Sequence, residues 1–273
     1  MATAAGAETL DCGPGETNLG PPPAAASDPG PAGETRGVSD GESRAAAIDW
    51  ERVRADLDAT GFAVLPGLLA GAECDALAAA YGPGDAFRSH VVMARHGFGR
   101  GEYRYYNYPL PPLVQGLRSA FYPRLAPIAN RWNARMGLAT RYPDEHAAWL
   151  DRCHEVGQAR PTPLLLQYGE GDYNCLHQDL YGDLAFPLQL AVLLSAPGTD
   201  FTGGEFVMTE QRPRMQTRVE VVPLAKGDAV LFAVNERPSR GVRGDYRVKL
   251  RHGVSRLRSG HRHTLGIIFH DAR

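Results

Sequence analysis

Apolar positions along this chain fall into three regimes. Across residues 1–45 large apolar side chains are nearly absent, and Gly, Pro, Ala, Ser and Thr dominate. Such a segment buries too little surface to offset its ordering entropy, so it is expected to be a disordered tail. From Ile48 the pattern becomes helical: Asp49 is placed to cap a short helix starting at Trp50. Gly61–Leu65 reads as a strand ended by Pro66-Gly67, and Ala70–Tyr81 as an amphipathic helix. Ser89–Ala94 and Glu102–Tyr108 resemble strands either side of a Gly-rich hairpin (Gly97, Gly99, Gly101). Apolar residues recur at helical spacing over Leu113–Met136, and a second helix is expected over about Pro143–Val156.

Beyond Pro161 the period changes. Short apolar runs (Thr162–Tyr168, Phe186–Leu194, Val219–Leu224, Ala229–Val234) alternate with Gly and Pro turns, and no further long helix is indicated. The expected fold is mainly β with flanking helices, built on a double-stranded β-helix core of the jelly-roll, cupin-like kind with seven or eight strands. No internal repeat is visible. No linker separates a helix-rich support region (46–160) from the jelly-roll core (161–273), so residues 46–273 are expected to form one domain.

Charge modifies this picture. The whole chain carries −2, residues 1–45 carry −5, and residues 46–273 therefore carry +3. Residues 204–273 alone hold 14 Arg and Lys against 7 Asp and Glu. A basic core is compatible with a phosphate-bearing partner. The 27 Arg against 2 Lys, with an Ala-rich tail, fit a GC-rich genome equally well. No apolar run is long enough to span a bilayer, which predicts no membrane partner, and no secretory or transit leader is visible. Cys12, Cys74, Cys153 and Cys175 are irregularly spaced without a Cys-x-x-Cys, which suggests neither a disulfide framework nor a zinc site. A cytoplasmic location is the simplest expectation.

The candidate chemistry lies in Leu176-His177-Gln178-Asp179-Leu180, with His252 far downstream and Arg262-His263-Thr264 closing the series. Residues i and i+2 of a strand point to one face, so His177 and Asp179 can grip one ion. With His252 they make the two-His, one-carboxylate set that holds non-haem Fe(II) and leaves coordination positions open. Arg262 and Thr264 share a strand face, so a guanidinium and a hydroxyl can clamp one carboxylate.

From about Pro161 to the end, the order His-x-Asp…His…Arg-x-Thr resembles the 2-oxoglutarate/Fe(II)-dependent dioxygenases. A wider likeness is to a bacterial family of predicted oxygenases acting on damaged nucleic acid. It runs through Phe87-Arg88-Ser89, Gly101-Glu102-Tyr103, Asn174-Cys175-Leu176-His177-Gln178-Asp179, Gly203-Gly204-Glu205-Phe206, Arg212-Pro213-Arg214-Met215-Gln216, Arg251-His252-Gly253 and Ile268-Phe269-His270-Asp271. The resemblance implies Fe(II), 2-oxoglutarate and O2, with decarboxylation to succinate coupled to hydroxylation of a substrate C–H bond. It implies Arg262, assisted by Thr264, as the holder of the distal carboxylate of 2-oxoglutarate.

Tyr168 occupies the place of the pocket tyrosine in prolyl-hydroxylase-like enzymes, although Tyr173 or Asn174 could serve and Tyr168 could instead be core. Gln189 interrupts an apolar strand, so it contacts the co-substrate or satisfies a neighbouring strand. Arg88, Arg104, Tyr105 and Tyr106 on the N-terminal strands, and Arg212, Arg214, Met215 and Gln216 on a later loop, are placed at the substrate mouth, where aromatics and Arg could stack on bases. His261, His263 and His270 are not needed as ligands, and His270-Asp271 suits a structural pair. The ten-residue interval from His252 to Arg262 resembles the prolyl-hydroxylase branch. The substrate is therefore either methylated nucleic acid or a protein side chain or small molecule. A non-redox cupin-like isomerase or ligand-binding module is the alternative of a different class; it would need no Arg-x-Thr clamp.

Overall fold

The computed structural model describes residues 40–180, 182–242 and 244–273. In chain order the elements are α1 (Asp40–Ala46), α2 (Trp50–Thr60), β1 (Phe62–Leu65), α3 (Gly71–Ala79), β2 (Phe87–Val92), β3 (Gly99–Arg100), β4 (Glu102–Tyr106), α4 (Pro112–Arg135) and α5 (His146–Glu155). The strand-rich half follows: β5 (Leu164–Tyr168), β6 (Tyr173–His177), β7 (Leu188–Leu193), β8 (Phe201–Gly203), β9 (Phe206–Gln211), β10 (Arg218–Val222), β11 (Ala229–Ala233), β12 (Glu236–Gly241), β13 (Gly244–Val254), β14 (Leu257–Gly260) and β15 (Arg262–Ile268).

Two antiparallel sheets carry the fold. The larger has the order β1-β11-β7-β15-β5-β4-β2, and the smaller β10-β9-β13-β6-β3 with β12 added to β13. Strands β7 and β11 are buried at every position, which explains their unbroken apolar sequence: both of their faces are covered. On the inner face Phe206 of the small sheet meets Phe232 of the large one at 5.2 Å between ring centroids. Behind the large sheet α4 brings Tyr122 against Phe186 at 5.0 Å. Its Arg118 reaches the C-terminus, where it forms a fully buried ion pair with Asp271 at 2.8 Å and donates to the Ile268 carbonyl. Among the described residues no helix is long and apolar enough to cross a membrane.

Three differences from the sequence expectation stand out. First, residues 40–45, placed in the disordered tail, form most of α1. Ala45 is buried, and Arg44 pairs with Glu73 at 2.7 Å and donates to the Leu68 carbonyl. Helix α1 crosses α4 where Gly41 touches Gly116. Two glycines allow that approach, and a scan for large apolar side chains overlooks it. The rest of the tail expectation lies outside the described residues. Second, the strands of the helix-rich region 46–160 belong to the same sheets as those of the core. Strand β1 pairs with β11, β4 with β5 and β3 with β6, so this region completes both sheets. Third, eleven strands follow Pro161 instead of seven or eight. The extra ones include the two short, Gly-bounded strands β8 and β14, and β12, whose Pro238 hid it.

Candidate functional site

The smaller sheet brings the metal-binding residues together. Strand β6 ends at His177, which lies directly opposite His252 on β13. Asp179 sits two residues past the strand end, on the extension of the same face. One ligand atom from each of His177, Asp179 and His252 falls within 4.8 Å of the others. Asp179 Oδ1 is 3.2 Å from His177 Nε2, and Oδ2 is 3.3 Å from His252 Nε2. His177 Nδ1 donates to the Cys175 carbonyl at 2.8 Å, which assigns the lone pair to Nε2. A lone pair aimed at a carboxylate is repulsive unless a cation or proton lies between them. The donor set therefore fits a divalent ion of the kind that takes imidazole and carboxylate.

Burial works against the Asp179 charge, but the two imidazoles facing it, when they carry protons, outweigh it and hold the carboxyl well below the usual range. Burial likewise opposes protonation of His177. The adjacent carboxylate wins there and raises its pKa, whereas at the deeper His252 burial prevails and lowers it. Phe232 and Phe206 flank the His252 ring at 4.6 and 5.9 Å and keep this end of the site apolar.

The cluster opens into a cavity of about 350 Å³ between the sheets. At one end of it lies Arg262, 2 % exposed, donating to Thr264 Oγ1 at 2.6 Å. Its Nε has no protein partner, and burial depresses the guanidinium to about 10. A desolvated, partly unpaired guanidinium facing a cavity is built to receive an anion. Tyr168 is wholly buried beside it, with the guanidinium carbon 5.6 Å from its ring centre, and Asn174 donates to its hydroxyl at 3.4 Å. Gly204 makes the space: a Cβ there would lie 3.2 Å from Arg262 Cδ and 2.6 Å from Leu257, and its φ of 65° suits glycine.

Every sequence candidate can now be located. His177, Asp179, His252, Arg262, Thr264, Tyr168 and Gln189 all line the cavity. Asn174 lines it too, whereas Tyr173 lies outside under Arg256. Arg104, Tyr106, Arg212 and Arg214 do not line it. Arg104 points to the other side of β4 and lies over Tyr81, and Tyr106 is buried against Phe87. Arg212 pairs with Glu210 at 2.7 Å, and Arg214 lies on the loop between β9 and β10, held at φ 61°. The alternate residues of the same strand, Tyr103 and Tyr105, form the cavity wall, with Phe98 and Leu176 at its exposed rim. The i, i+2 spacing of those tyrosines was the available signal; what it lacked was which parity faced inward. Phe186 N–H donates to His270 Nδ1, and Asp271 takes Arg118, Tyr108 and His154.

Two facing antiparallel sheets, a two-histidine, one-carboxylate cluster and a buried arginine in the same cavity define an oxygenase of the 2-oxoglutarate/iron type. Within that class the chain belongs to the Oxygenase-NA family, described as oxygenases catalysing oxidative methylation of damaged DNA, whose model matches residues 101–272. The Mycobacterium tuberculosis protein Rv2227, described as uncharacterized, is 49 % identical over 164 residues, covering 60 % of this chain and 70 % of that one. A Pseudomonas putida prolyl-4-hydroxylase aligns with TM-score 0.47 and 15 % identity over 82 % of this chain and 99 % of its own. A 2OG-Fe(II) oxygenase family oxidoreductase from Burkholderia pseudomallei aligns with TM-score 0.48 and 17 % identity over 83 % and 94 %.

Proposed function

We propose that His177, Asp179 and His252 bind Fe(II), that Arg262 and Thr264 hold the distal carboxylate of 2-oxoglutarate, and that the enzyme hydroxylates a methyl C–H of a damaged base in DNA. The observation that carries this reading is one cavity with the metal-binding cluster and, apart from it, a buried guanidinium whose Nε lacks a protein partner. When bound, iron with 2-oxoglutarate and O2 supplies the oxidising power: the co-substrate loses CO2 to become succinate, and one oxygen atom enters the substrate C–H bond.

The protein's part is to bind and orient. The Cys175 carbonyl fixes the His177 tautomer so that Nε2 faces the metal position. Arg262, Thr264 and Tyr168 make a donor-rich end for a dicarboxylate, while Phe206, Phe232, Leu166 and Ile268 keep water from the rest of the cavity. A hydroxylated N-methyl group departs as formaldehyde, so the net change on such a base is loss of the methyl group. The free Cys74, Cys153 and Cys175 suit a reducing compartment. A second reading, hydroxylation of a protein side chain or small molecule, uses the same residues and is favoured by the ten-residue interval between His252 and Arg262.

Anaerobic addition of Fe(II) and then 2-oxoglutarate tests the site. A weak visible charge-transfer band should grow in the wild type and be absent from Asp179→Ala. Succinate release in air, with methylated DNA and prolyl peptides compared, then separates the two substrates. A band of equal strength in Asp179→Ala would remove the metal assignment.

A further inference from the structure

The large sheet's inner wall is ordered by strand register into four levels. Arg262 pairs with Tyr168; Thr264 with Leu166, and Leu166 with Tyr103; Gly266 with Leu164 and Ala191, and Leu164 with Tyr105; Ile268 with Gln189, and Gln189 with Phe232. These are successive i, i+2 positions on β15, so they face one side and span about 20 Å from Arg262 to Ile268. The first two levels are rich in donors. At the third, Gly266 makes room for the Leu164 side chain, whose Cδ2 lies 2.7 Å from where a Cβ would stand. The fourth carries Gln189 beside Phe232, whose ring touches the His252 ring at 4.6 Å. Gln189 is thus at the metal end of the cavity and three levels from the guanidinium, so it cannot share the distal carboxylate with Arg262.

Gln189 is 4 % exposed, lines the cavity, and its Nε2 has no hydrogen-bond partner. A buried amide donor left unpaired is destabilising, so its presence here calls for a ligand that completes it. The two ends of a 2-oxo dicarboxylate are already served, one by Arg262 and one by the metal cluster. In register Gln189 is flanked by Phe232 and Ile268, which carry no charge, and Leu164 and Tyr105 line the same cavity further along the sheet. Aromatic and aliphatic walls with a single amide donor match a flat, neutral ring bearing a carbonyl.

We propose that Gln189 is the specificity-determining residue for the substrate, donating from Nε2 to a ring carbonyl of a neutral methylated base bound in this cavity beside Phe232. This rests on the oxygenase reading above and assigns to the substrate a residue that the sequence placed with the co-substrate. The probe is a fluorescent single-stranded oligonucleotide carrying 3-methylthymine, whose carbonyls flank the methylated nitrogen, with an unmethylated copy as control. Anisotropy on the Mn(II)- and 2-oxoglutarate-loaded protein reads binding, and anaerobic titration reads 2-oxoglutarate affinity separately.

Gln189→Leu should weaken the methylated probe about tenfold while leaving 2-oxoglutarate affinity within about twofold. Its melting temperature should hold or rise, since an unpaired amide is replaced by an apolar side chain; a Gln with only a structural role would lose stability instead. Gln189→Glu should weaken the probe further by replacing the donor with a carboxylate. Equal binding of the methylated and control probes by wild type, an undiminished affinity in Gln189→Leu, or a parallel tenfold loss of 2-oxoglutarate affinity would each overturn the assignment. Absence of any 2-oxoglutarate binding or succinate release in wild type would instead strike the oxygenase reading, independently of Gln189.

Discussion

Arg262 concentrates the residue-scale physics of this protein. Burial depresses its pKa to about 10, with the nearby Tyr168 and Glu205 acting in the opposite direction. An arginine tolerates that environment and stays charged at neutral pH; a lysine in the same place starts lower, loses the planar fork and surrenders charge to burial. Arg262→Lys should therefore raise the 2-oxoglutarate requirement substantially with Fe(II) binding little changed. Arg262→Ala should raise it more, in the range of about 2–5 kcal/mol for a charged partner removed from a buried carboxylate. Anaerobic titration of 2-oxoglutarate into the metal-loaded variants measures both, and an unchanged affinity in Arg262→Ala would place the clamp elsewhere. Tyr103 and Tyr105 illustrate the opposite case. Their place in the sequence does not distinguish them from Arg104 and Tyr106; only the face of the sheet that turns to the cavity does.

At the scale of elements, α1 shows how glycine can substitute for bulk. A Cβ on Gly41 would lie 2.4 Å from the backbone of Gly116, so the two helices touch main chain to main chain. Arg44 then ties α1 to Glu73, and the Trp50 indole donates to the Ala45 carbonyl at 2.8 Å. Gly41→Leu should force the helices apart and cost about 1–3 kcal/mol, or roughly 5 °C in Tm for a domain of this size. Deletion of residues 1–39 should leave Tm unchanged, whereas deletion of residues 1–46 should lower it, because Ala45 and the Arg44 pair go with it. Thermal melts of the three variants decide this, and equal melting of wild type and the 1–46 deletion would show α1 to be dispensable.

The whole molecule carries an acid sensitivity that follows from burying histidines away from the active site. Burial, reinforced by the Arg118 charge, pushes His146 and His270 down to about 4. Both are depressed below the ordinary value of about 6.5, so the unfolded chain binds these protons first. Stability is then full above about pH 6.5 and falls as pH drops toward 4. Each histidine contributes about 2 kcal/mol of that loss by pH 5, or roughly 4–8 °C in Tm. His146 Nε2 donates to the Phe269 carbonyl at 3.0 Å, a bond a glutamine amide can replace. His146→Gln should therefore melt like wild type at pH 7.5 and above it at pH 5. Identical pH dependence in the two proteins would remove His146 as a source.

How much of this was readable in advance follows from the kind of information each feature needs. The metal-binding residues were readable because iron chemistry restricts the side-chain types, and i, i+2 spacing at the end of β6 places two of them on one face. That Arg262 and Thr264 share one strand face was readable from their i, i+2 spacing, and their side chains are bonded to each other. The long helices and the apolar central strands showed their period directly. The joining of β1, β3 and β4 to distant strands, the inward parity of β4 and the level of Gln189 are different in kind. They depend on which strands pair and in what register, and a slip of one residue would turn every side chain to the opposite face. So the local sequence settles which side-chain types the site presents. The cavity wall formed by β4 and β5 exists only once residues about sixty positions apart are hydrogen-bonded in register.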